Sequence, residues 1–181
     1  AAAYGLTRLP GRARGAVLGL SVMPIIVPPI IIALSAYLFY LKTGITNGYL
    51  RVILAHTVIG VPFVVLVVWS ALQSLDQTAY RAALSLGARP WLAFRTAVLP
   101  RISRAMLGGG VLAFAASIDE LIIAIFVTTA EERTLPIQMY AGLREQLSPA
   151  ITAAATLIMV CAALVLAAGT AWRGRTDTPK D

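Results

Sequence analysis

Four long stretches of the chain are free or nearly free of charge, and short polar segments separate them. Residues 15–41, 52–75 and 146–172 hold no Asp, Glu, Lys or Arg, and residues 105–130 hold only Asp119 and Glu120. As helix, at 1.5 Å per residue, each is long enough to cross a hydrocarbon core of roughly 30 Å. The pattern predicts an all-α fold, a polytopic transmembrane helical bundle with four spans over residues 1–172 and a short polar tail over 173–181. Pro24, Pro28 and Pro29 lie in the first stretch. They predict a kink or partial unwinding, which lipid allows only where protein or water meets the freed carbonyls, so this span is expected to face other helices. Residues 42–51, with Gly44, Asn47 and Gly48, read as a short loop, and residues 131–145 join the third span to the fourth.

The segment 76–104 breaks the apolar pattern with Asp76 and five arginines, Arg81, Arg89, Arg95, Arg101 and Arg104, yet it is dense in Ala and Leu. It is too polar to cross a membrane and favours helix. Asp76, after Ser74, is a candidate N-cap; no breaker follows until Gly87, which stands where a left-handed C-cap falls. Pro90 suits the first turn of a second helix through about Ala97, and Pro100 is expected to stop it. On the first helix Tyr80, Ala83, Leu84 and Gly87 share an i, i+3, i+4, i+7 face, and the small Ala82 and Ala83 admit close approach by another protein. A docking helix and an amphipathic segment lying on the membrane surface both fit these residues.

Composition sharpens this picture. With 59% hydrophobic and 13% charged residues against about 45–50% and about 25% in soluble domains, and a mean hydropathy of +0.81, the chain has too little polar surface to cover a core in water. The net charge of +7 reads as topology rather than nucleic-acid binding. Arg8, Arg12, Arg14, the five loop arginines, Arg173, Arg175 and Lys180 fall on one side of a four-span chain, and Lys42, Arg51, Arg133 and Arg144 on the other. The positive-inside rule makes the first group, and both ends of this chain, cytoplasmic. A single cysteine excludes an internal disulfide, and one His with one Cys makes no zinc site. No Walker motif is present, so ATP hydrolysis by that route, and any cofactor for it, is not expected on this chain. The first residue is Ala and nothing near it reads as a signal peptide, so the chain is expected to lack its natural start.

Anchored on Gly87, the segment Arg81-Ala82-Ala83, then Gly87, then Leu99-Pro100 falls at the spacing of the E-A-A-x3-G-x9-I-x-L-P loop. In this it resembles ABC importer inner-membrane permeases. The flanks Ser21–Pro29 (SVMPIIVPP), Ser117–Thr128 (SIDELIIAIFVT) and Thr134–Pro149 (TLPIQMYAGLREQLSP) look like the permeases of spermidine/putrescine-type importers. Arg81 replaces the motif Glu and Ala97 the motif Ile. The resemblance implies that Tyr80, Arg81, Ala82, Ala83, Gly87, Leu99 and Pro100 belong to an ATPase-coupling loop in the bacterial inner membrane's cytoplasmic face. It implies as partners a cytoplasmic ABC ATPase (a dimer), a second permease subunit and an extracytoplasmic solute-binding protein, in a lipid bilayer and without nucleic acid. Six spans are implied, of which these four match the last four. The implied function is inward movement of a small cationic solute such as a polyamine; an iron complex, an opine, another organic cation, or a non-transporting structural subunit are the alternatives.

Asp119 and Glu120 then stand out, because a carboxylate within a span costs about 2.5–3.5 kcal/mol before pairing. One or both are expected on the substrate pathway, meeting ammonium groups, with Asp119 the preferred choice; an inter-helix or interfacial pair with an arginine or a backbone donor is the structural alternative. His56 reads as a helix-packing histidine, Cys161 as a small packing residue, and Gly108, Gly109 and Gly110 as a site of close helix approach.

Overall fold

A computed structural model of the chain describes residues 2–7, 9–129, 131–145 and 149–174, and every regular element among them is helical. In order these are α1 (Ala2–Leu6), α2 (Gly11–Ile26), α3 (Pro29–Thr43), α4 (Gly48–Gln73), α5 (Thr78–Ser85), α6 (Pro90–Ala93), a π-helical turn (Phe94–Val98), α7 (Leu99–Ile118), α8 (Ile122–Val127), α9 (Leu135–Glu145) and α10 (Pro149–Gly174). Arg8, Ala130, the start of the expected fourth span at 146–148, and the tail from 175, with Arg175 and Lys180, lie outside the described residues.

The bundle is built on α4 packed along α7. Asn47 starts α4, its Oδ1 accepting the Leu50 amide at 2.8 Å, and satisfies one of the donors a helix start leaves open. Small residues set how near the two helices come. A methyl added at Gly109 would stand 2.9 Å from the Val64 Cα, and one at Gly60 would meet the Ala113 Cβ at 3.4 Å. Without a hydrophobic drive between helices in lipid, such close van der Waals approach is what joins them. Gly109 therefore has the packing role expected of the glycine run, whereas Gly110 faces open space. Toward one end of the pair, Ala3, Val68, Leu72, Val98 and Ile102 form a buried cluster. A second cluster, Ala33, Tyr40, Ala55, Ile123 and Val127, ties α3 and α8 to α4.

Among the described residues two helices, Gly48–Gln73 and the continuous run Pro90–Ile118, are long and apolar enough to cross a membrane, and the bent pair α2–α3 makes a third if it is one span. That pair bears out the unwinding expected within the stretch 15–41: the chain leaves helix at Val27–Pro28 and turns by 101° between the two helices. Pro28 and Pro29 lack amide donors, and Pro29 begins α3 at a position where none is needed. Pro24 stays inside α2, none of whose residues is buried within this chain. Within α10 the apolar stretch is Thr152–Leu164.

The third expected span, 105–130, is corrected at both ends. The helix starts at Pro90 and passes through Pro100 instead of stopping there. A proline ring clashes with the carbonyl four residues back; the wider π turn, closed by the Leu99 amide on the Phe94 carbonyl, loosens the backbone where that clash would fall. At the other end α7 finishes at Ile118, and Asp119 and Glu120 occupy a break before α8.

The close contact gives the first prediction. Gly109→Val should lower stability by about 1–3 kcal/mol through overpacking against the Val64 backbone, while Gly110→Ala should not lower it. Thermal unfolding of the purified protein in detergent separates the two; equal melting temperatures would contradict the packing.

Candidate functional site

The polar segment between α4 and α7 is organised by local chemistry. The expected N-cap shifts by one residue: Gln77 holds that position, and Asp76 precedes it. Its Oδ1 still accepts the Thr78 amide at 2.9 Å and the Thr78 hydroxyl at 2.6 Å, a side-chain turn leading into the helix. Those two donors hold its carboxyl below the usual carboxylate range. At the far end Gly87 has φ +85°, its amide reaches the Leu84 carbonyl, and the Ala88 amide reaches the Ala83 carbonyl, each at 3.0 Å. This is the double hydrogen bond of a left-handed helix end, which favours glycine because it has no Cβ.

The expected docking face divides. Tyr80 and Ala83 are half-buried, and Tyr80 packs toward the Ala3–Val68–Leu72 cluster, its hydroxyl 3.3 Å from that of Tyr4. Arg81, Ala82 and Gly87 are exposed, as are Leu84, Leu86, Trp91 and Leu92. Leu86 is 89% and Trp91 68% exposed, so the segment presents apolar side chains outward. Trp91 stacks on Phe94 with centroids 5.7 Å apart, and Phe94 meets Tyr4 at 4.6 Å. Leu99 is half-buried against the same cluster and Pro100 is exposed.

At the other end of the Pro90–Ile118 helix the two carboxylates part company. Asp119 is exposed and closes α7, its amide on the Ala115 carbonyl. Glu120 is half-buried and turns back on α8: its Oε2 accepts the Ile123 amide at 2.8 Å and the Ala124 amide at 3.3 Å. Glu120 thus satisfies open donors of a helix start, which explains how this half-buried carboxylate is held. It also lines a cavity of about 270 Å³, with His56, Ser117 and Thr134; Asp119 is not among the lining residues. His56 of α4 and Ser117 of α7 are bonded, Nδ1 to Oγ, at 2.7 Å. His56 thus links α4 to α7, the helix-packing role expected of it.

A second link missing from the sequence reading ties the two connecting loops. Glu132 Oε2 accepts the Gly48 amide at 2.6 Å and the Thr129 hydroxyl at 3.3 Å. Nearby, Arg51 Nε donates to the Ile45 carbonyl at 2.6 Å and the Tyr40 hydroxyl to the Arg51 carbonyl at 3.0 Å. Contacts spanning 84 residues, like Gly48 with Glu132, leave no local signal.

Comparison with known proteins adds a family. The model of the binding-protein-dependent transport system inner membrane component matches residues 1–173. The spermidine/putrescine transport system permease protein PotC of Escherichia coli (strain K12) is 30% identical over 92% of this chain and 63% of its own length. The putrescine transport system permease protein PotI of the same strain is 35% identical over 78% of this chain and 53% of its own. The molybdenum transport system permease protein ModB of Mycobacterium bovis (strain ATCC BAA-935 / AF2122/97) is 26% identical over 96% of this chain and 71% of its own. The chain therefore spans less than two thirds of PotC and about half of PotI.

The Gly87 geometry yields a prediction. No atom lies within 4 Å of where a Cβ would be, so Gly87→Ala should cost about 1–2 kcal/mol from the left-handed backbone alone, and Gly87→Asn less. Limited proteolysis between residues 76 and 98 should be faster in the Ala variant. Equal cleavage in all three proteins would contradict it.

Proposed function

The chain belongs to the binding-protein-dependent transport system inner membrane component family, and we propose that it works within an ABC importer permease subunit that moves a polyamine-like organic cation inward. The observation that carries the cationic substrate is the broken helix at Asp119–Leu121, where a half-buried carboxylate borders a cavity inside an apolar bundle. Its Oε2 is held by the Ile123 and Ala124 amides, but hydrogen bonds from neutral amides leave its negative charge in place, and that charge attracts a cation passing the break. The likeness to PotC and PotI, whose names specify spermidine and putrescine, supports the same class. The molybdenum permease relative belongs to a fold serving other solutes, and the carboxylates argue for the cation.

Energy enters through the 76–100 loop. Its exposed Leu86, Trp91 and Leu92, with Arg81, Ala82, Ala83 and Gly87 beside them, suit a groove on a cytoplasmic ATPase dimer. From Pro90 the helix runs without interruption to Ile118, about 43 Å at 1.5 Å per residue. Motion at the loop therefore reaches the Asp119–Glu120 break along a single helix. An extracytoplasmic binding protein delivers solute to the opposite side, near residues 42–51 and 131–145, and a second permease subunit completes the pathway. Both ends of this chain face the cytoplasm, in accord with the arginine distribution. Asp119, exposed in the single chain, is the carboxylate available to the shared pathway, and Glu120 is the one built into its wall.

Uptake of labelled putrescine and spermidine by cells carrying the full-length gene and its transport partners tests this. Saturable uptake, lost on gene deletion and reduced at least tenfold by Asp119→Asn with Glu120→Gln in normally inserted protein, is expected. Wild-type uptake in the deletion strain would overturn the substrate, and unchanged uptake in the double variant would remove the carboxylates from the pathway.

A further inference from the structure

We propose that the cavity bounded by α4, the α7–α8 break, the start of α9 and α10 is a subsite for a primary alkylammonium group, held by His56, Glu120 and Thr134. This rests on the cationic-substrate reading and deepens it by naming the subsite and two residues outside the carboxylate pair. Three observations converge on one space. His56 Nε2 and Thr134 Oγ1 are both buried without a hydrogen-bond partner among the described residues. Both residues, with Glu120, line the same cavity of about 270 Å³. The Glu120 Oε2 is fixed by the Ile123 and Ala124 amides, which orients the carboxylate while leaving it capacity for further donors.

All three groups can act as acceptors. When Nδ1 of His56 carries its proton and donates to Ser117 Oγ across their 2.7 Å contact, Nε2 presents a lone pair. A hydroxyl such as that of Thr134 accepts as readily as it donates. An –NH3⁺ group has three donors and no acceptor, so it matches this set in number and in charge. A quaternary ammonium has no N–H and cannot make these bonds. A buried polar atom without a partner costs about 1–3 kcal/mol, and one ammonium in the cavity that both residues share with Glu120 would serve both. The remaining wall includes Val52, Leu135 and Ile158, apolar side chains suited to the methylenes that follow the ammonium. The volume far exceeds the roughly 10–15 Å³ a single water needs.

The site is also held in register from two directions. His56 and Ser117 join α4 to α7 at its floor. The Gly48 amide on Glu132 ties the segment leading to Thr134, Leu135 and Pro136 to the start of α4.

The test uses the full-length permease assembled with its partners in nanodiscs. Equilibrium binding of labelled putrescine is measured without the binding protein, with the hexamethylated diquaternary analogue of putrescine as competitor. The wild-type complex should bind putrescine at least tenfold more tightly than the analogue. Thr134→Val, which keeps the shape of the side chain, and His56→Leu should each weaken putrescine binding about five- to tenfold and leave the analogue's affinity unchanged, a selectivity that a packing defect would not produce. Equal loss for both ligands, or no loss for either, overturns the subsite. A wild-type complex that takes up putrescine yet does not bind it here also overturns the subsite while the polyamine reading stands. A complex that neither binds nor takes up putrescine overturns both.

Discussion

The close approach of α4 and α7 is the constraint on which the other features depend. Gly109 lets the helix pass against the Val64 backbone, and Gly60 lets it pass Ala113. With the axes this near, the His56 ring meets the Ser117 hydroxyl and the Val68–Leu72 face meets Val98 and Ile102. Push the helices apart by one methyl and both ends of the interface lose register. In lipid, where apolar side chains gain little by leaving their surroundings, such contact and a few polar links are the available sources of cohesion.

From that pair the chain builds two unlike ends. One is a short helix closed by a left-handed glycine, a Trp91–Phe94 stack with Tyr4 tilted against Phe94, and outward-facing leucines. The other is a helix break whose carboxylate caps the helix that follows and borders a largely apolar cavity. The two are joined by the Pro90–Ile118 helix, and the π turn near its start keeps it continuous through a proline. A helix stopped at Pro100 would separate the loop from the break.

Much of this was legible along the chain. The uncharged stretches predicted α4 and the apolar part of α10, Gly87 predicted the end of α5, and the glycine run predicted close packing. What local pattern carried poorly was compensation. Pro100 signalled a stop because the π turn relieving it has no sequence signature of its own. Pro28 and Pro29 signalled a kink, but how far the chain turns depends on α3 docking against α8 and α4. Tyr80 lay on the face assigned to a partner, yet Tyr4 of α1 and the Ala3–Val68–Leu72 cluster claim it for the chain's own core. At the carboxylates, favoured N-cap residues include Asp but not Glu, so local pattern did not single out Glu120 as the side chain that turns back on the Ile123 and Ala124 amides. The His56–Ser117 and Gly48–Glu132 bonds join residues 61 and 84 positions apart and arise only in the folded bundle.

The central claim is that a single helix links the loop to the carboxylate break. Thr96 is exposed and Ala97 half-buried, so replacing both with glycine softens the helix, at about 1 kcal/mol each, while removing little packing. In proteoliposomes holding the full-length permease and its partners, the account predicts that this double variant keeps basal ATP hydrolysis but loses at least nine tenths of ATP-driven putrescine uptake. Uptake at the wild-type rate with the same ATP consumption would contradict it.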